Sequence, residues 1–207
     1  MELKQVVVGP VGTNCYILQN QDTKEAVLVD PGDSPKRLQH EIEALGAVPV
    51  AILLTHGHFD HIMAVNELTA VYKNVKVYAC EAERELIASP SKNCCGMIGR
   101  TYTVQPDVYV TDGENMELAG IAFEVIATPG HTIGSCCYYI PEEGVLFSGD
   151  TIFAESVGRT DLPTGSMGTL VRSVRRVLEM LPDETVIYPG HEHATSIKHE
   201  KRYNPFA

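Results

Sequence analysis

Within the run Thr55-His56-Gly57-His58-Phe59-Asp60-His61, three histidines and one aspartate crowd into six residues. Neutral imidazole nitrogen and carboxylate oxygen are both good ligands for zinc and similar divalent ions. Packing alone gives little reason to collect so many titratable groups in one place. The run follows the apolar stretch Ala51–Leu54, which puts it at the end of a strand. Gly57 leaves the backbone room to turn sharply, so His56 and His58 can reach one ion. Asp60 and His61 then open a helix and can face a second. An aspartate there could instead cap the helix; beside three histidines the metal reading is preferred.

Three more metal-competent residues stand far away in the chain. His131, Asp150 and His191 come after the apolar runs Phe123–Ile126, Val145–Phe147 and Val186–Ile187, and Gly130, Gly149 and Gly190 precede them. In a layered α/β fold, residues just beyond strand ends meet at one rim. Asp150 alone would read equally well as part of a Gly-Asp turn. His40 and His199 read as surface residues, and His193 fits either a supporting role near His191 or open surface.

The elements that must carry these residues are legible as alternating strand and helix patterns. Strands are predicted over 3–8, 14–19, 25–29, 50–54, 75–79, 115–118, 121–127, 135–140, 144–148 and 184–188. Helices are predicted over 35–45, 61–71, 81–88, 166–181 and 193–202. For the first helix, Ser34 suits the N-cap, Pro35 the first position and Gly46 the C-terminal cap. In the helix over 166–181, Arg172, Arg175 and Arg176 lie opposite the apolar face and read as solvated. Residues 89–108 are irregular and long enough for a lid or substrate loop. A strand-Pro-Gly-His arrangement occurs twice, before His131 and before His191. That echo suggests two similar half-units, each a helix layer over a sheet.

The chain has 207 residues, 44% apolar and 21% charged, which suits one domain over 1–207. Its formal net charge of −11 argues against a broad nucleic-acid or anionic-membrane surface, and a small-molecule substrate is expected. No stretch approaches the ~20 apolar residues of a membrane span. The N-terminus reads as a strand rather than an export signal, so a cytoplasmic location is expected. The six cysteines (Cys15, Cys80, Cys94, Cys95, Cys136, Cys137) are then free thiols. Cys136 and Cys137, adjacent on a strand, point to opposite faces.

Taken together, HxHxDH, Thr128-Pro129-Gly130-His131-Thr132, Ser148-Gly149-Asp150-Thr151 and Tyr188-Pro189-Gly190-His191-Glu192 resemble the metallo-β-lactamase superfamily. More narrowly the chain is similar to its short bacterial glyoxalase II-like hydrolases. Asp30-Pro31-Gly32, Val157-Gly158-Arg159-Thr160-Asp161 and Asn204-Pro205-Phe206 add to the likeness, which runs from about Pro10 to Phe206. The resemblance implies a four-layer αββα sandwich with metals at one edge. It implies one ion on His56, His58 and His131, another on Asp60, His61 and His191, and Asp150 bridging them. Two divalent ions are expected, zinc first, with iron and manganese also compatible.

That site suits hydrolysis by a metal-bridging hydroxide, with Asp60 taking the proton while remaining a ligand. A thioester suits it best, because a thiol of pKa roughly 8.5 leaves without much protonation. The resemblance points to S-lactoylglutathione or a related thioester. The alternatives are a one-iron persulfide dioxygenase and a lactonase of the same fold. A β-lactamase is less favoured, since enzymes of that type generally lack the aspartate found here as Asp150. Arg159 could contact substrate or pair with Asp161 or Asp150. Lys198, Lys201, Arg202 and Tyr203 read as a solvated helix face.

Overall fold

The computed structural model describes residues 1–207 throughout. Strands β1 (Glu2–Val8), β2 (Thr13–Gln19) and β3 (Glu25–Val29) form an antiparallel meander. Helix α1 (Pro35–Ala44) then crosses to β4 (Val48–Leu54), which lies parallel to β3. Helices α2 (Phe59–Ile62) and α3 (Val65–Val71) lead to β5 (Lys76–Cys80), and α4 (Arg84–Ile87) precedes β6 (Val108–Val110). These six strands make the first sheet in sequential order.

The second sheet repeats the scheme. Strands β7 (Asn115–Leu118), β8 (Ile121–Ala127), β9 (Cys136–Ile140) and β10 (Val145–Gly149) run antiparallel. A small hairpin, β11 (Ile152–Phe153) and β12 (Ser156–Val157), precedes helix α5 (Met167–Met180). The chain returns as β13 (Val186–Pro189), parallel to β10, then β14 (Thr195–Ser196) and helix α6 (Ile197–Tyr203). The expected pair of half-units is therefore present: each is a six-stranded sheet with helices on one face.

The layering follows from strands that are apolar on both faces. Ile17, Leu28 and Ile52 pack outward with Leu38 and Ile42 of α1 and Leu68 of α3. Their sequence neighbours Leu18, Val29 and Leu53 point the other way, against Phe123, Tyr138 and Phe147 of the second sheet. Beyond that sheet, Ile126, Cys137 and Leu146 meet Leu170, Val174 and Val177 of α5. Three apolar layers between four layers of secondary structure give the αββα sandwich of the metallo-β-lactamase fold. Cys136 and Cys137 fall in different layers, and all six cysteines are free and buried. No helix is long and apolar enough to cross a membrane.

Several boundaries differ from the sequence reading. The helix expected over 61–71 breaks after Ile62: the Met63 amide is shared between Phe59 O and Gly32 O (both 3.2 Å), and the Ala64 amide goes to Pro31 O (3.0 Å). The helix expected from 193 starts at Ile197, since Thr195 and Ser196 pair with Ile187 and Val186 as a strand. Residues 81–83 form a tight 3₁₀ turn rather than the first turn of an α-helix. Ser34 sits at the N-cap position with φ 55° and makes no capping bond through its side chain. Strands β6, β11, β12 and β14, of two or three residues each, have too few side chains to show an alternation.

Candidate metal centre

Four strand ends converge on one rim. Strand β4 delivers His56 to His61, β8 delivers His131, β10 delivers Asp150 and β13 delivers His191. Backbone bonds stitch the rim together: Cys136 N–H to Thr55 O (2.8 Å), Gly190 N–H to Gly149 O (2.8 Å) and Asn14 N–H to Gly190 O (2.7 Å). Asn14 and Tyr16 of β2 also donate to the Pro189 carbonyl, at 3.0 and 2.6 Å. The loop carrying His191 is thus held from the opposite sheet.

All seven expected ligands meet there, in two groups. Nδ1 of His58 lies 2.9 Å from Nε2 of His131, which lies 3.2 Å from Nε2 of His56. Asp60, His61 and His191 form a second group, with Oδ2 of Asp60 3.3 Å from Nε2 of His191 and 3.6 Å from Nε2 of His61. Asp150 stands between them. Its Oδ1 is 3.4 Å from Nε2 of His61, and its Oδ2 is 3.5 Å from Nε2 of His131 and 3.6 Å from that of His191. Asp60 is in the first turn of α2 and caps nothing; Oδ2 accepts from Thr13 Oγ1 at 3.1 Å.

Hydrogen bonds behind the rings orient the lone pairs. Nδ1–H of His131 donates to the Arg159 carbonyl at 2.7 Å, and Nδ1–H of His61 to Oδ2 of Asp30 at 2.9 Å. The Thr55 hydroxyl donates to Asp30 at 2.6 Å, leaving its oxygen to accept from Nδ1 of His56 at 3.2 Å. In all three rings Nε2 is left as an inward-facing acceptor, the arrangement that prepares histidines for a metal. In the sequence Asp30 stands only in the motif Asp30-Pro31-Gly32. Its signal was available: an acid at the end of an apolar strand, directly before Pro-Gly. The Arg159 carbonyl had no such signal, because any residue can supply one.

These residues fit divalent cations better than they fit protons. Burial, reinforced by the neighbouring His131, pushes His58 down to about 3, and burial with the adjacent imidazoles lowers His56 as well. Both rings are therefore neutral. Burial opposes charge on His61 too, but Asp60, Asp150 and Asp30 outweigh it and demand positive charge there. Burial likewise works against ionisation of Asp150, yet His61 and the other rings hold its pKa below the usual carboxyl range. Nε2 of His61 and Oδ1 of Asp150 are buried without hydrogen-bond partners, an uncommon condition that ligation would relieve.

A cavity of about 750 Å³ opens over the centre. Val11, Phe59, Phe153 and Leu162 supply apolar walls, and Cys94, Arg159 and Glu192 line it as well. The Phe153 ring meets that of His191 edge-on, 6.0 Å between centroids. The Arg159 guanidinium pairs with Asp161 at 2.7 Å through two bonds, not with Asp150. Of the irregular residues 89–108, Cys94 reaches the cavity. Buried Asn93 pins this stretch, bonding Tyr102 O (2.8 Å) and Cys95 N–H (3.0 Å) through its side chain and Phe59 N–H (2.9 Å) through its carbonyl. Lys198, Lys201, Arg202 and Tyr203 do not line the cavity; Lys201 pairs with Asp183, and Arg202 lies over the Tyr203 ring. His40 and His193 are exposed, and His199 bonds Glu155 at 3.0 Å.

The profile of the Metallo-beta-lactamase superfamily matches residues 8–191. The chain belongs to this superfamily. Within the metallo-beta-lactamase superfamily it is a metal-dependent hydrolase with a histidine and aspartate metal-binding cluster. It is 35% identical to the probable metallo-hydrolase YqgX of Bacillus subtilis over 208 residues, spanning all of this chain and 97% of that protein. It is 34% identical to hydroxyacylglutathione hydrolase GloC of Haemophilus influenzae, spanning all of this chain and 98% of GloC. Among solved structures, the BLEG-1 B3 metallo-beta-lactamase superposes with a TM-score of 0.93 at 40% identity, covering 99% of both chains. TTHA1623 in a di-iron-bound form follows, with TM-score 0.87, 36% identity and coverage of 99% and 100%. ETHE1 from Myxococcus xanthus gives 0.82 at 31% identity, covering 99% of this chain and 84% of that one.

Proposed function

We propose that this protein hydrolyses a thioester of a small acid-bearing thiol, S-lactoylglutathione being the representative, at a centre of two divalent ions. The observation that carries the reading is the position of Asp150, within 3.4–3.6 Å of ring nitrogens from both groups. His56, His58 and His131 would hold one ion, Asp60, His61 and His191 the other, and Asp150 both. Divalent ions there supply Lewis-acid charge and lower the pKa of water. Zinc is the expected metal; the likeness to di-iron TTHA1623 keeps iron in view.

The chain's own residues do the rest. Thr13, His61 and His191 all approach Oδ2 of Asp60, so Oδ1 is the oxygen placed to accept a proton. Burial opposes its ionisation, but His61 and His191 hold its pKa below the usual range. Val11, Phe59, Phe153 and Leu162 offer apolar walls to a substrate's carbon chain, while Arg159 at the cavity wall offers a cation for a substrate carboxylate. A thiolate leaving group suits a centre whose carboxyls, Asp60 and Asp150, start out ionised, because it departs without needing a proton. The full-length likeness to GloC supports a glutathione thioester.

A second reading, persulfide dioxygenation at one iron, is supported by the likeness to ETHE1. Metal content per chain, measured beside a panel of thioesters, lactones, β-lactams and persulfides with oxygen uptake, separates the two. Two ions and thioester cleavage are expected. One iron with sulfite production and no thioester cleavage would overturn the proposal.

A further inference from the structure

Directly after β5 the chain turns through residues 81–83, and Glu83, the last of these, is fully buried. A carboxylate persists in such a place only when its oxygens are well bonded. Oε1 accepts the backbone N–H of Gly57 at 2.9 Å, and Oε2 accepts that of Gly134 at 2.7 Å. Gly57 lies between His56 and His58; Gly134 lies three residues past His131. One side chain therefore joins the two loops that deliver the first histidine group, and those loops come from different sheets.

Packing points the same way independently. A Cβ on Gly57 would sit 2.3 Å from Cγ1 of Ile87, and one on Gly134 would sit 2.3 Å from the backbone nitrogen of Glu83. Both loops lie flat against residues 83–87, with no space for a side chain between. The three ring nitrogens lie 2.9 and 3.2 Å apart, a spacing that has to be set between loops from two different sheets. The loops need an external brace to hold that spacing.

We propose that Glu83 is a positioning residue for the His56–His58–His131 site. Its two oxygens set the separation of the loops so that three nitrogens can reach one cation. The inference rests on the reading that this group holds a metal. Glu83 acts through backbone amides and is not itself a ligand. Glutamine in its place keeps the volume and one acceptor, but turns an NH₂ toward the other amide, donor against donor.

The test is titration of metal-free protein with zinc chloride, comparing wild type, Glu83→Gln and Gly134→Ala, with circular dichroism to confirm folding. Glu83→Gln is also placed in His191→Ala and His131→Ala backgrounds, which leave one site each. Wild type should bind two ions. Glu83→Gln should weaken one of them by about 10- to 100-fold. The loss should appear in the His191→Ala background and vanish in the His131→Ala background. Gly134→Ala, which wedges its loop off an intact Glu83, should show the same selective loss, and it decides alone if Glu83→Gln does not fold. Unchanged affinities, or equal weakening in both backgrounds, would overturn the proposal. A wild type that binds no zinc would instead overturn the metal reading beneath it, before any variant is compared.

Discussion

Gly190 packs so closely on Asp150 that a Cβ atom added to it would lie 2.3 Å from Oδ1 of the carboxylate. The same atom would lie 2.7 Å from Cε1 of His61. The glycine before His191 is thus required by the centre itself. Gly190→Ala should fold, at a cost of about 1–3 kcal/mol for overpacking, and should lose most of its hydrolysis together with one ion. Full activity and two bound ions, by metal analysis and thioester assay, would contradict this.

Asp150 lies within 3.4–3.6 Å of ring nitrogens from both groups. Asp150→Ala should lose one or both ions and nearly all hydrolysis, while keeping the fold by circular dichroism. Near-normal turnover with two ions bound would remove Asp150 from its assigned role.

Asp30 accepts from the Thr55 amide (2.8 Å), the Thr55 hydroxyl (2.6 Å) and Nδ1 of His61 (2.9 Å). Asparagine would set an NH₂ against one of these donors. Asp30→Asn should weaken metal binding at the Asp60–His61–His191 site by about 10- to 100-fold. Competition with a chromophoric chelator reads this directly; unaltered affinity would show that ring orientation does not depend on Asp30.

Arg159 and Asp161 are both exposed, so their ion pair adds little to stability. Arg159→Ala should leave the melting temperature unchanged. For thioesters carrying a carboxylate, KM should rise roughly tenfold, as for one charged hydrogen bond. Neutral thioesters should be unaffected, and equal effects on both substrate types would argue against substrate contact.

Alkaline stability offers a test away from the centre. Burial pushes the Cys137 thiol from 9.0 up to about 11, against weaker opposition from Thr128 and Thr151. The folded chain therefore holds this proton more tightly than the unfolded chain. Its contribution is complete below pH 9 and is lost as pH rises through about 11. The loss from this thiol is at most about 3 kcal/mol. Cys15, Cys136 and Tyr138, also raised by burial, act in the same direction. Unfolding midpoints should fall steeply above pH 9, and Cys137→Ala should have a shallower slope. Identical slopes would show that the thiol does not titrate on unfolding.

The seven candidate ligands were legible because each sits just past a run of apolar residues, where a histidine or aspartate has no packing role. The four layers were legible for a related reason: strands apolar on both faces need cover on both sides. Asp30 carried a local signal as an acid at the end of an apolar strand, but Glu83 and the Arg159 carbonyl were not legible as parts of a site. Their roles are hydrogen bonds to groups 26 to 51 residues away, and no local pattern marks such a bond. The break at Met63 was hidden likewise, since the competing carbonyls belong to Pro31 and Gly32.

By itself the sequence determined which side chains could ligate a metal, and that they stand at strand ends. Only the tertiary structure decided how His131, Asp150 and His191 join the groups that the HxHxDH run begins. Imidazoles and carboxylates have no intrinsic preference for one partner over another. Their allocation comes from two sheets packed face to face, which bring β4, β8, β10 and β13 to one rim and set Asp150 between the two groups. The orientation of each lone pair is decided later still, by acceptors such as Asp30 that the fold places behind the rings.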